Sequence, residues 1–273
     1  MNPKMMWALA ALSVVGLAGC LEQTTVLNVN KSGAGTVVIT SYMSKTAVDM
    51  MAQLDRKKES AKKNPLLQEP ARYKASADAM GTKFVGVKEL SRPDGSIGVE
   101  ETYSFTDVTR VKLNSEAKMN APGTEGRAEK KSEPITFAFA KGPTAKLTIK
   151  QPEKKVAAAP EKADKPTEAA TAQQEAAFAQ MKQIFEGFRL RVLVKVDGEI
   201  AKTNATYVGT DEAKKPAVTL LDLNVGELLK DDAQLKKLSA MGKIDDVATA
   251  REKLKDFPGI KAELSQQVDV EFK

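Results

Sequence analysis

The sequence predicts an α+β fold, in which antiparallel β-hairpins pack with amphipathic helices and a helical C-terminal third leads into a final strand. Three observations carry that expectation. Apolar and polar residues alternate strictly in short segments, clearest at Ile97, Val99, Tyr103 and Phe105 and again at Phe188, Leu190, Val192, Val194 and Val196. Turn-forming clusters separate pairs of such segments, as at Arg92-Pro93-Asp94-Gly95 and Asp197-Gly198. Between and after the hairpins, apolar residues return at helical spacing, as in Ala47, Met50, Met51 and Leu54.

Taken in order, residues 21–23 read as a short tether. Thr24 to Asn30 and Thr36 to Met43 then form a hairpin around Asn30-Lys31-Ser32-Gly33-Ala34-Gly35. Those glycines are turn chemistry, because the helix and Gly-Lys-Ser/Thr of a phosphate loop do not follow. Thr46 reads as the N-cap of a helix that runs into Arg56, Lys57, Lys58, Lys62 and Lys63, cations suited to a helix C-terminus. Ala71 to Met80 is a second helix, ended by Gly81. The hairpin from Phe84 to Phe105 follows. Glu101 interrupts its apolar face, which predicts an edge position or a lysine partner rather than a buried catalytic carboxylate.

Asn114 to Glu133 is polar and reads as a loop. Ile135, Phe137 and Phe139 pair with Leu147 and Ile149 across Lys141-Gly142-Pro143-Thr144 as a third hairpin. Gln151 to Ala170 is rich in Pro, Ala, Lys and Glu with Val156 as its one large apolar residue, too little to offset the entropy of ordering. The expected organisation is therefore a lobe over 20–150, a linker or insertion over 151–170, and a lobe over 171–273 that completes the fold. In that last part, Phe178, Met181, Ile184 and Phe185 give a helix over 171–186. Phe188 to Val196 is a strand with Arg189, Arg191 and Lys195 facing out, and strands around 200–208 and 217–223 follow. Helices are expected over 225–230, 232–240 and 245–256, and Val268, Val270 and Phe272 end the chain as a strand.

Composition narrows the chemistry. With no histidine and one cysteine, thiolate zinc sites and Ser-His-Asp hydrolysis are excluded, and no internal disulfide can form. Asp222-Leu223-Asn224-Val225-Gly226 begins like a calcium loop, but its sixth position is Glu227 and its twelfth Ala233 where glycine and glutamate are needed. A carboxylate pair or a Ser-Lys dyad needs no fixed spacing, so a histidine-free hydrolase stays open as an alternative. The net charge of +6 with 5% aromatics fits a solvated, lysine-bearing surface, with weak attraction to anionic lipid as the alternative. It gives no basis for nucleic-acid binding.

The N-terminus carries the most specific signal. After Lys4, Met5 to Gly19 holds no charge. That is a signal-peptide core, short of the roughly 20 residues of a bilayer span. Ala18 and Gly19 are the small residues that cleavage before Cys20 requires. Either a signal precedes a buried thiol, or Cys20 is acylated. Leu17-Ala18-Gly19-Cys20 resembles the lipobox of bacterial lipoprotein precursors at every position. The resemblance covers about residues 1–21. It implies a signal peptide over 1–19, cleavage between Gly19 and Cys20, a thioether-linked diacylglycerol on Cys20, and an amino terminus acylated by a chain such as palmitate. Anchoring of that kind is effectively permanent. In Gram-negative lipoproteins Leu21 in place of aspartate implies the outer membrane and a domain facing the periplasm.

The phrase Gly98-Val99-Glu100-Glu101-Thr102-Tyr103-Ser104-Phe105-Thr106-Asp107-Val108 resembles uncharacterised lipoproteins of the cell envelope. The opening hairpin and the Phe188–Val196 strand are similar to the LppM-like lipoproteins. No activity comes with either resemblance. The expected function is thus a membrane-tethered, non-enzymatic binding or structural protein. It would have no cofactor and no metal site, and Arg189, Arg191 and Lys195 would form its interaction surface for an envelope partner. The alternative is a lipid- or glycan-binding module whose apolar pocket is closed by the helix bearing Phe178, Met181 and Phe185.

Overall fold

Alternation becomes strand almost everywhere it occurs. In the computed structural model, which describes residues 21–54, 64–114, 133–152, 187–210, 215–231, 247–255 and 257–273, the opening hairpin consists of β1 (Leu21–Val29) and β2 (Gly35–Met43). Helix α1 (Lys45–Leu54) and helix α2 (Pro70–Met80) precede β3 (Lys83–Ser91) and β4 (Ile97–Phe105). Then come β5 (Thr136–Ala140), β6 (Ala145–Lys150), β7 (Arg189–Val196), β8 (Ile200–Thr203), β9 (Val208–Thr210) and β10 (Pro216–Asn224). Helices α3 (Val225–Leu229) and α4 (Val247–Leu254), then β11 (Ile260–Ala262) and β12 (Gln267–Phe272), complete the described chain.

The strands form two sheets. The larger runs β11-β10-β7-β1-β2-β4-β3, with β9 also on β10; the smaller runs β5-β6-β12-β8. Every pairing is antiparallel except β1 with β7, whose register sets Leu27 beside Val194. The opening strand is therefore central, held between its hairpin partner β2 and the distant β7. Inward residues of both sheets share one core. Leu27, Val37, Tyr103 and Val194 from the larger sheet and Leu147, Ile149, Val270 and Phe272 from the smaller are none of them more than 1% exposed. Burying side chains of this size contributes about 1.5–3 kcal/mol each.

This architecture corrects the α+β expectation: among the described residues the fold is mostly β, and the C-terminal third is not helical. Among the described residues the last third holds β7 to β12 with only the five-residue α3 and the eight-residue α4. The physical reason lies in the core. The inward faces of the two sheets meet in one core, and α2 covers only the β3–β4 end of the larger sheet. The helix expected over 232–240 lies outside the described residues, as do most of the 114–133 loop and of the 151–170 insertion, and the helix over 171–186. Both sheets draw strands from either side of that insertion.

Smaller corrections follow the same logic. Residues 21–23 are not a tether but the start of β1, with Leu21 opposite Met43. The cap of α1 is Ser44, whose Oγ accepts from the Ala47 N–H at 3.3 Å, rather than Thr46. The segment 200–208 splits into β8 in the small sheet and β9 in the large one. The turn glycines 33 and 35 sit in an Asx-turn: Asn30 Oδ1 accepts from the Ser32 and Ala34 N–H groups at 2.9 and 3.1 Å. Gly35 is also required by proximity, since a Cβ there would stand 1.9 Å from the Asn28 carbonyl oxygen.

Candidate functional site

Two places gather the polar chemistry that the sequence singled out. The first is the outer face of the larger sheet. Even-numbered residues of β1 point there, and the register aligns Glu22 with Arg189 on β7 and with Tyr42 on β2. Arg189 and Arg191 do face outward on β7, as their alternation with Leu190 and Val192 requires. They are not free cations. Arg189 donates through Nε and Nη2 to the two carboxylate oxygens of Asp222 on β10, both at 3.0 Å. Arg191 Nε stands 3.6 Å from the same carboxylate. Hydrogen bonding to Asp222 raises the Arg189 pKa, so the fork stays charged and paired. Lys195 sits further along β7, in register with Asn28 and Ala217.

A second ion pair extends this row. Arg92, in the β3–β4 turn, donates to Glu22 at 2.7 Å, and its guanidinium stacks 3.6 Å from the centroid of the Tyr42 ring. Tyr42 can lie flat because its neighbour on β4 is Gly98; a Cβ there would stand 2.6 Å from the ring. The face therefore presents planar guanidinium groups held by carboxylates of the same sheet.

The second place is the interior. Glu101 is 7% exposed, on the inward face of β4. The larger sheet continues past it on both sides, to β2 and β3, so neither an edge position nor a lysine accounts for it. Its partner is Tyr103, two residues along the same face, whose hydroxyl donates to Glu101 Oε2 at 2.5 Å. Burial pushes the Glu101 pKa up, and that single donor offsets it only in part. Burial also raises the Tyr103 pKa, helped by the carboxylate beside it.

Glu263, in the β11–β12 connection, is 0% exposed and behaves oppositely. Burial would raise its pKa, but donation from the Ser265 and Thr206 backbone N–H groups outweighs it and holds the carboxyl below its ordinary value.

The sequence reading missed Glu22, Tyr42, Arg92, Asp222 and Glu263. Asp222 drew attention only as a failed calcium loop. Parity gives no signal for Asp222, because β10 shifts register between Thr219 and Leu221 and only that shift turns Asp222 outward beside Arg191; the spacing of Glu101 and Tyr103 is the signal for the buried pair. An open cleft of about 230 Å³ lies where α2 gives way to β3, lined among others by Lys83, Ser104, Asp107 and Arg110. Among the described residues, no group of three acidic or cysteine side chains converges as a metal site would. Gly19, Cys20 and the Phe178/Met181/Phe185 helix lie outside the described residues.

No family model matches the chain, and no curated protein does. Among solved structures, the NMR structure of the folded domain of Mycobacterium tuberculosis LppM is similar at 10% identity and a TM-score of 0.33, over 94% of this chain and 91% of that one.

Proposed function

We propose that this protein is a membrane-tethered lipoprotein of the bacterial cell envelope, whose β-rich domain has a non-enzymatic binding or structural role. The observation that carries the proposal is the position of β1. It begins at Leu21, directly after the cysteine of Leu17-Ala18-Gly19-Cys20, and runs through the middle of the larger sheet. An acyl anchor on Cys20 joins the central strand of the fold with no spacer. Nine strand residues extend about 30 Å, so the domain works at the membrane surface. With Leu21 after the cysteine, the expected location is the outer membrane, facing the periplasm.

In this proposal Arg189, Arg191 and Lys195, with Asp222 and the Glu22–Arg92 pair, form the face that meets an envelope partner. Intact mass of the envelope-extracted protein, beside a Cys20→Ala variant, tests the anchor. Loss of residues 1–19 with added diacylglyceryl and acyl groups supports it. A free thiol at Cys20 overturns it.

A further inference from the structure

Glu101 has no role in the outer face, and its surroundings do not suit an anion. On the sheet its cross-strand neighbours are Ile39 on β2 and Val87 on β3, with Val99 and Tyr103 along its own strand. Above the sheet lies α2. From it, Tyr73 stacks on Phe84 of β3 at 4.8 Å between centroids, and Phe84 in turn meets the Tyr103 ring at 5.5 Å. Ser76 reaches the Tyr103 hydroxyl. Glu89 on β3 shares the inward face, in register with Val99. Among the described residues, therefore, β2 offers Glu101 an apolar neighbour. Helix α2 offers it a phenol and a hydroxyl, and β3 offers another carboxyl. The cations that α2 and β3 carry, Arg72, Lys74, Lys83 and Lys88, are exposed, whereas the Glu101 carboxyl is buried beside Tyr103.

The helix over it is lightly held. Tyr73 and Ala77 are its buried residues, and Glu69 at its N-cap makes no side-chain capping bond. A segment with so little burial opens at a fraction of the global stability.

We propose that Glu101 is a proton-operated latch for α2: with the carboxyl protonated the helix lies closed on β3 and β4, and loss of that proton to water releases it and bares Phe84 and Tyr103. An uncompensated charge at this depth is tolerated only if water reaches it, and lifting α2 admits water without unpairing the strands. The raised pKa of Glu101 agrees in direction with a proton held there. The protonated fraction falls about tenfold per pH unit above the midpoint, so the latch would turn a small rise in envelope pH into an exposed aromatic strip.

Hydrogen–deuterium exchange on the full chain in detergent, at pH 5.5 and 8.5 and corrected for intrinsic rates, tests it. Amides over residues 70–80 are expected to lose protection tenfold or more at the higher pH while β6 and β12 keep theirs. Glu101→Gln should hold α2 closed at both pH values. Tyr103→Phe removes the donor that favours the carboxylate and should move the opening to higher pH, which keeps the idea testable if the glutamine variant fails to fold. Protection over 70–80 that ignores pH in the wild type overturns the latch. So does pH dependence that survives in Glu101→Gln, or loss of protection in β6 and β12 together with α2.

Discussion

Replacing Glu263 by alanine is the most demanding test of how the two sheets are joined. The chain crosses between them twice near this residue, from β8 to β9 and from β11 to β12. The carboxylate staples the crossings together. Its oxygens accept from the Thr206 N–H at 2.6 Å, the Thr206 hydroxyl at 3.2 Å and the Ser265 N–H at 3.0 Å. Alanine removes these bonds. The hydroxyl can rotate, but the two backbone N–H groups cannot, and each buried donor left unmade costs about 1–3 kcal/mol. The expected loss is about 3–5 kcal/mol, against a total stability of about 5–15 kcal/mol for a domain.

The backbone contacts of this segment would persist: Glu263 N–H still donates to the Leu220 carbonyl, and the Gln151 amide still donates to the Glu263 and Ser265 carbonyls. The damage should therefore be energetic rather than topological. In urea the midpoint should fall by about 1–2 M at unchanged slope. The pH dependence has a definite sign. Because the folded pKa lies below the unfolded one, the wild-type stabilisation is present above the unfolded value of about 4.3 and fades as pH falls through the folded value. The wild-type advantage over the variant should therefore shrink on acidification. A loss below about 1 kcal/mol at pH 7, or an advantage constant from pH 7 to pH 3, would refute the reasoning.

Other substitutions probe other links. Phe272→Ala empties a fully buried site at the chain's end and should cost about 3–5 kcal/mol in urea unfolding; a cost near 1 kcal/mol would mean that the end of β12 is not part of the core. Asp222→Ala leaves Arg189 and Arg191 without their shared carboxylate. Since Arg189 is 34% exposed, the loss should be only about 1 kcal/mol, and a double-mutant cycle with Arg189→Ala should show coupling that weakens with salt. Gly98→Ala would place a Cβ 2.6 Å from Tyr42 and 2.7 Å from the Ser41 carbonyl. It should cost about 1–3 kcal/mol and lower the thermal midpoint by about 2–4 °C for each; an unchanged midpoint would contradict the close approach. Replacing Arg189, Arg191 and Lys195 together by alanine should abolish site-specific crosslinking from the outer face to the proposed envelope partner, and crosslinks that persist would remove that face from the proposal.

Much of this protein can be read locally. Alternation assigned Ile97 to Phe105 and Leu190 to Val196 to their correct faces, because side chains on a strand alternate whatever lies next to it. Asn30, Asp94 and Gly95 announced turns, because their side chains or their lack of one act within a few bonds. In the last third the helices at Val225–Leu229 and Val247–Leu254 stand close to where helical spacing places them. They are short, so strands dominate the described part of this third, and local spacing does not reveal which elements share the core.

The linear chain by itself determined the hairpins and which way Arg189 and Arg191 point. Only the tertiary structure decided that β1 lies between β2 and β7, that Asp222 pairs with Arg189 and stands beside Arg191, and that Glu101 is buried under α2 with a tyrosine instead of a lysine. Facing is a property of neighbouring residues, whereas pairing and desolvation depend on groups brought together from distant parts of the chain.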